Sequence, residues 1–486
     1  MKHSLKSYFF GLPIGLMMAV CGHAATGPSS SETPYLTPSM GTVELTSLLT
    51  VGDAVYKNNG ATPADSVYRM VGLPDGLGAF DNGDGTITVL MNHELANNRG
   101  TVRAHGSIGS FVSRWRVRKS DLKVLRGEDQ IKKVNMYNAT TGTWAPGTMA
   151  FNRFCSADLA PASAFYNIAT DKGYADGRVF MNGEETSGGR AFAHIVSGPL
   201  QGNSYELPAL GNIAFENSVA NAGSGDKTIV LSTDDTTPGK VYVHGALKTK
   251  EPGPVASGLH GGLNMAIAVQ GYPIDVRDSV PTAGTRFSLV STTDSTGTKF
   301  LRPEDASWDT QNPNRAYFAT TDRYDQVKDG AGTQIGRSRL WRVTFDDIAN
   351  PLTGGTIEAL LDGTEAGNMF DNLTVDKAGN VFIQEDLGGN PHNGKIWKYN
   401  PTTDALTLVA QHDVARFGDL GIPATLPHNN DEESSGIIDV SELFAGVAGY
   451  DTATYSYFLL DAQAHSANPD PELVERGQLL MMRVAK

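Results

Sequence analysis

Cysteine is nearly absent: two residues in 486, Cys21 and Cys155. So few exclude a disulfide-stapled scaffold. Long apolar runs are scarce too, and past the first 24 residues no stretch reaches the length a membrane-crossing helix needs. Positive charge is in deficit, with 39 Lys and Arg against 53 Asp and Glu and a formal net charge of -14. A chain with that balance repels a polyanion, which excludes nucleic acid as a partner. Phosphate chemistry remains open if bound cations supply the missing charge. Charged residues make up 19% of the chain and hydrophobic ones 40%, too apolar a mixture for a disordered protein.

Residues 1–24 have the build of a secretory leader. Lys2 and Lys6 precede the apolar run Tyr8 to Val20, and Gly22-His23-Ala24 offers small residues for cleavage. Cys21 as a lipid-attachment site is the lesser alternative, because Val20 before it is bulky. The expected location is periplasmic or secreted, without a transmembrane segment. Cleavage leaves 37 basic against 53 acidic residues and a single thiol, Cys155, which has no internal disulfide partner.

Residues 40–486 are expected to form one all-β domain. Short β-rich runs recur between clusters of Gly, Asp, Asn, Pro and Ser: Thr86 to Met91, Phe111 to Val117, Arg178 to Met181, Thr228 to Leu231, Lys240 to Val243, Arg286 to Val290, Ala316 to Ala319, Arg339 to Val343, Val381 to Ile383, Lys395 to Tyr399, Tyr455 to Leu460 and Leu479 to Val484. Two segments align as a repeat. Arg302-Pro-Glu-Asp-Ala-Ser-Trp-Asp309, Ala316 to Asp322 and Arg339-Leu-Trp-Arg-Val343 match Phe370 to Asp376, Val381 to Asp386 and Lys395-Ile-Trp-Lys-Tyr399. Weaker echoes end at Asn92-His-Glu94, Gly183-Glu-Glu185, Thr233-Asp-Asp235 and Asp461-Ala-Gln463. About six such units predict a six-bladed β-propeller with loop insertions, closed so that no long sheet edge is exposed. A parallel β-helix is the competing architecture, but its repeats are much shorter.

If equivalent strands end in acids on one side, their carboxylates converge on the axis, where repulsion is severe without cations. Taken singly, each acid is equally well a turn residue; Asp322, beside Arg323, is an example. Three motifs sharpen the pattern. Asn92-His93-Glu94 offers an amide, an imidazole and a carboxylate after a β-run. Met181-Asn-Gly-Glu-Glu185 sets two carboxylates side by side, of which strand alternation turns only one inward. Leu301-Arg-Pro-Glu-Asp305 crowds an anion-binding guanidinium against carboxylates, although an Arg302–Glu304 surface ion pair would produce the same string. Cys155 reads as a buried small hydrophobe, a metal ligand or a nucleophile. As a ligand among hard oxygens, its thiolate would select iron or another transition metal over calcium. As a nucleophile it lacks a His at a repeat position to act as base.

In this order, Asn-His-Glu, a Cys followed by a strand and Glu-Glu, Glu216 followed by Asp234-Asp235, Arg-Pro-Glu-Asp, and Asp-Asn-Leu leading to Gln-Glu-Asp, the motifs resemble those of the PhoX-type alkaline phosphatases, in a divergent branch. The resemblance spans roughly residues 70 to 440 as scattered short motifs. It implies a propeller carrying calcium and iron on its axis and cleaving phosphate monoesters of small phosphorylated substrates, with no obligate protein partner. It also implies Cys155 as an iron ligand, Glu94, Glu185, Glu216, Asp235, Glu304 and Asn138 as metal ligands, and Arg302 as the phosphate clamp. Asp305, Asp371, Glu385 and Glu433 are further candidates. The sequence departs from the family in a leader without arginine and in Arg153-Phe154 standing between Asn152 and Cys155. A phytase-like or phosphodiester-cleaving propeller, or a non-enzymatic calcium-stabilised binding propeller, are the alternative functions.

Overall fold

Each of the expected β-runs is a strand in the computed structural model, which describes residues 22–57, 67–276, 279–321, 338–388, 390 and 392–486. The strands assemble into six blades around one axis. Their inner strands are Pro74–Asp81, Phe154–Asp158, Phe215–Ala220, Pro303–Trp308, Phe370–Val375 and Glu432–Asp439. Each inner strand packs against those of the two neighbouring blades, so the ring is closed. Within a blade the core strands run antiparallel. Among the described residues the α-helix is a single turn, Val414–Phe417, and no helix is long and apolar enough to cross a membrane.

The blades are held by apolar faces. One buried cluster fills each blade-to-blade interface: Phe382 and Ile396 of blade five meet Phe458 and Leu480 of blade six, and Leu459 and Leu479 of blade six meet Ile87 and Trp115 of blade one. This follows from the strand alternation, because each sheet is sandwiched on both faces. The tryptophans of the repeat lie in third strands; Trp341 donates to Thr320 Oγ1 at 3.0 Å and Trp397 to Glu385 Oε1 at 2.7 Å.

Closure of the ring depends on both ends of the chain. Glu44–Thr50 pairs with Arg476–Ala485 to complete blade six, and His23–Thr26 adds a parallel strand outside it. Leu36–Pro38 adds an edge strand to blade five. Residues ahead of position 40, and His23 and Ala24 of the expected leader, thus have places in the sheets, while Cys21 lies outside the described residues. Two insertions enlarge the blades. A hairpin, Lys133–Asn138 with Thr143–Gly147, lengthens blade two, and Thr285–Ser291 joins blades three and four into one nine-stranded sheet.

All six inner strands slip register near their start: between Asp75 and Leu77, Phe154 and Ala157, Phe215 and Ser218, Pro303 and Ala306, Phe370 and Leu373, and Ser435 and Ile438. Bulges of this kind re-aim side chains. At Gly436, in the last of them (φ +60°), an added Cβ would lie 2.9 Å from the Asp75 carbonyl, so the backbones of blades six and one touch there.

Candidate metal centre

The bulges place one residue per blade at the second position of its inner strand: Asp75, Cys155, Glu216, Glu304, Asp371 and Glu433. All six are buried. A second ring comes from the residues whose backbone N–H bonds the residue just before each inner strand: Glu94 to Leu73, Glu185 to Arg153, Asp235 to Ala214, Thr321 to Arg302, Asp386 to Met369 and His465 to Asp431. Polar side chains therefore enter from two strands of each blade, and in blades one, three and five both are acids.

Five of the first-ring residues and two of the second form three overlapping donor sets. Asp75, Glu94 and Cys155 make one; Cys155, Glu185 and Glu216 a second; Glu216, Glu304 and Asp371 a third. Within each set the donor atoms lie within 4.8 Å of one another. Cys155 Sγ is 3.4 Å from both Asp75 Oδ2 and Glu216 Oε1. Glu304 Oε2 and Asp371 Oδ1 are buried without a hydrogen-bond partner among the described residues, so these oxygens are not committed to holding the fold.

The electrostatics point the same way. Burial pushes Glu216 well above the usual carboxylate range, and the charges of Glu304, Glu185 and Asp75 push it further. Asp75 and Asp371 are raised by burial and then by neighbouring carboxylates. Burial followed by the charges of Asp75 and Glu216 likewise raises the Cys155 thiol. Asp235 behaves in the opposite way: burial would raise it, but Arg302 holds it below its ordinary value. A cation among these donors removes the penalty on the charged forms. Two of the sets contain sulfur and suit iron; the third is all oxygen and suits calcium.

Two arginines stand over the acids. Arg302 Nε and Nη2 bond the two Asp235 oxygens at 2.7 and 3.0 Å, and Nη2 lies 3.1 Å from Glu304 Oε1. Arg153 Nη2 bridges Glu94, at 2.7 Å, and Glu185. Gln463 Nε2 ties Asp75, Glu94 and Glu433 together at 3.0 to 3.2 Å. His465 touches Glu433 at 3.3 Å and Glu475 at 3.0 Å. Burial alone would lower its pKa, but hydrogen bonds with these two acids hold it well above the usual value.

Of the residues expected from sequence, the structure brings together Glu94, Cys155, Glu185, Glu216, Asp235, Arg302, Glu304, Asp371 and Glu433. It separates three. Asn138 ends an outer strand of blade two, is exposed, and accepts from the Thr140 and Thr141 amides in its own hairpin turn. Asp305 points away from Glu304, taking hydrogen bonds from Asn217 and from the Leu373 amide at 3.0 Å, and so braces three neighbouring blades. Glu385 Oε1 accepts from Trp397 and the Asn368 amide, at 2.7 and 2.8 Å, in none of the three donor sets, and Asp386 occupies its expected place. Strand alternation does turn Glu185 to the axis, while Glu184 faces Arg190 at 2.9 Å. His93 is a core residue, stacked on Phe111 at 4.3 Å with its pKa lowered to about 3 by burial. In blade four the repeat position is Thr321; Asp322 and Arg323 lie outside the described residues.

Sequence reasoning missed Asp75, Arg153, Asp386, Gln463 and His465. His465 supplies the repeat-position histidine judged absent, yet it bonds Glu433 and Glu475, not Cys155. A signal for Asp75 was present: Pro74-Asp75 repeats Pro303-Glu304, and Phe154-Cys155, Phe215-Glu216 and Phe370-Asp371 follow the same scheme. Because Glu385 serves the fold, Glu385→Gln is expected to leave metal content unchanged and to cost about 1–3 kcal/mol in denaturant unfolding. A loss of bound metal in that variant would place it back in the site.

Fold and site together define a six-bladed β-propeller with an acidic, thiol-containing cluster where its inner strands begin. Among solved structures the chain is similar to Pseudomonas fluorescens PhoX in complex with vanadate, a transition state analogue, with a TM-score of 0.60 and 12% identity over 96% of this chain and 98% of that one. It is also similar to the periplasmic gluconolactonase PpgL of Pseudomonas aeruginosa, with a TM-score of 0.39 and 11% identity over 90% of this chain and 98% of that one. No protein-family model and no curated protein matches the sequence. The likeness to PhoX is one of fold.

Proposed function

We propose that the protein is an exported, metal-dependent phosphatase that hydrolyses phosphate monoesters at the axial cluster, with residues 1–24 as its leader. The observation that carries this reading is the sharing of donors. Cys155 and Glu216 each belong to two of the three sets, so neighbouring ions would share a ligand, and Arg302 stands beside them. The fold of PhoX, whose structure holds vanadate as a transition state analogue, supports the same reaction class.

Glu94, Asp75, Cys155, Glu185 and Glu216 would hold iron, and Glu216, Glu304 and Asp371 calcium. These ions, when bound, supply the positive charge that lets the acids ionise together and that withdraws charge from a phosphoryl group. The chain's own part is positioning. Asp235 fixes the Arg302 guanidinium by two bonds, leaving its Nη1 edge for a phosphoryl oxygen. Gln463 holds the acids of blades six and one in register. Burial of the cluster strengthens each of these interactions.

Elemental analysis is expected to find iron and calcium, and p-nitrophenyl phosphate is expected to be cleaved faster than bis-p-nitrophenyl phosphate or phytate. Arg302→Ala should lower kcat on the monoester by about 10³-fold or more, a loss typical of removing an arginine from a phosphoryl-transfer site. Full activity after exhaustive chelation would overturn the proposal, and calcium without iron in an inactive protein would favour a structural role for the metal.

A further inference from the structure

Arg153 and Arg302 occupy the same place in blades two and four, directly before the inner strand. Both have left-handed backbone, with φ of 49° and 58°. Leu73 and Met369, at the matching positions of blades one and five, share that conformation with apolar side chains. The conformation therefore belongs to the repeat, whereas the guanidinium is particular to blades two and four. Non-glycine residues seldom adopt this region, and here both arginine side chains that carry it reach acids of the cluster.

Their bonding is parallel. Arg153 uses Nη2 on Glu94 and Glu185; Arg302 uses Nε and Nη2 on Asp235 and Glu304. Nη1 of each has no hydrogen-bond partner among the described residues, and the two side chains are 47% and 26% exposed. Blade three, carrying Glu216 and Asp235, lies between them. The two forks thus flank the donor set that contains Cys155 and Glu216, each with an edge left for a ligand.

We infer that Arg153 is a second guanidinium contact for the phosphoryl group, opposite Arg302, and that the pair selects the dianion of a phosphate monoester over the monoanion of a diester. This rests on the phosphatase reading above. A monoester offers enough anionic oxygens for both forks. A diester replaces one of them with an alkylated oxygen and carries one charge fewer, leaving one partly desolvated guanidinium without its anion. Were Arg153 only a counter-ion for Glu94 and Glu185, its removal would change metal retention and leave anion preference alone.

The test titrates metal-loaded wild type, Arg153→Gln, Arg153→Lys and Arg302→Gln by calorimetry with inorganic phosphate and with dimethyl phosphate at pH 8, alongside elemental analysis. Arg153→Gln is expected to weaken inorganic phosphate by roughly 30- to 100-fold, the low end of what truncating one partner of a desolvated charge pair costs, as befits a half-exposed side chain, and dimethyl phosphate by less than about 3-fold. Calcium and iron content should not change. Arg153→Lys, which keeps the charge and loses the fork, should fall between wild type and Arg153→Gln, and it decides the matter if Arg153→Gln does not fold. Equal weakening of both anions, unchanged phosphate affinity, or loss of metal in the Arg153 variants overturns the inference while wild-type phosphate binding and its loss in Arg302→Gln keep the phosphatase reading. Wild type that binds neither anion overturns both.

Discussion

Glu216→Gln should abolish phosphatase activity and empty more than one metal position at once. Glu216 belongs to the sulfur-containing set with Cys155 and Glu185 and to the all-oxygen set with Glu304 and Asp371. The amide keeps the shape of the side chain and removes its charge, so the loss is one of coordination. Groups that merely orient a ligand are worth about 10- to 100-fold in metal affinity; a carboxylate shared by two sets should exceed that. The expected drop in kcat is on the order of 10³-fold or greater, with both iron and calcium below stoichiometric amounts. Elemental analysis beside a p-nitrophenyl phosphate assay checks it, and a variant that keeps both metals and a tenth of the activity would contradict the shared-ligand geometry.

The metal-free protein should lose stability as pH rises. Burial, with other causes secondary, raises Asp305 to about 6, Asp158, Glu385 and Glu433 to about 7, and Glu432 to about 8, and it lifts Asp75, Glu216, Glu304 and Asp371 well above their usual values. In the unfolded chain such groups titrate near about 4. Between these limits the folded state holds protons that the unfolded chain has released, so stability is greatest below about pH 4 for these groups and falls as pH rises toward about 8. At Asp75, Glu216, Glu304 and Asp371, bound cations would replace the protons. Chelation should therefore lower Tm by on the order of 10 °C at pH 8 and by much less at pH 5, the scale expected for uncovering a few buried charges in a chain of this size. Thermal scans of chelated and metal-loaded protein across that range check the sign; a chelation effect that grows toward acid pH would refute it.

The second and third strands of the blades were legible because both their faces are apolar. Val381 to Ile383 and Leu479 to Val484 announce themselves as β-runs. The inner strands do not. Asp75-Gly76, Cys155-Ser156, Glu216-Asn217 and Ser434-Ser435-Gly436 carry polar and small residues where the pattern calls for hydrophobic ones, because their environment is the axis. Acids recurring at strand ends revealed Glu94, Glu185 and Asp235 of the second ring, and short motifs revealed all of the first ring except Asp75. The ring that binds the donors together lies on strands whose composition resembles loops. Arg153 was hidden for another reason: its relation to Arg302 is a backbone position before a strand, and the residues that follow differ in type, Phe154-Cys155 against Pro303-Glu304. Asn138 illustrates the converse error, in which an Asn suited to a ligand was in fact capping its own hairpin turn.

The pairing of Glu44–Thr50 with Arg476–Ala485 also dictates an order of events. The strand that completes blade six is made before blades one to five and its partner after them, so the ring stays open until Arg476–Ala485 emerges. Glu433, Gln463 and His465 arrive with that final blade. Before then, the acids of blades one to five face one another across an open arc without their last supports. Closing the circle therefore also completes the surroundings of the cluster, which has all its supports only in the finished ring.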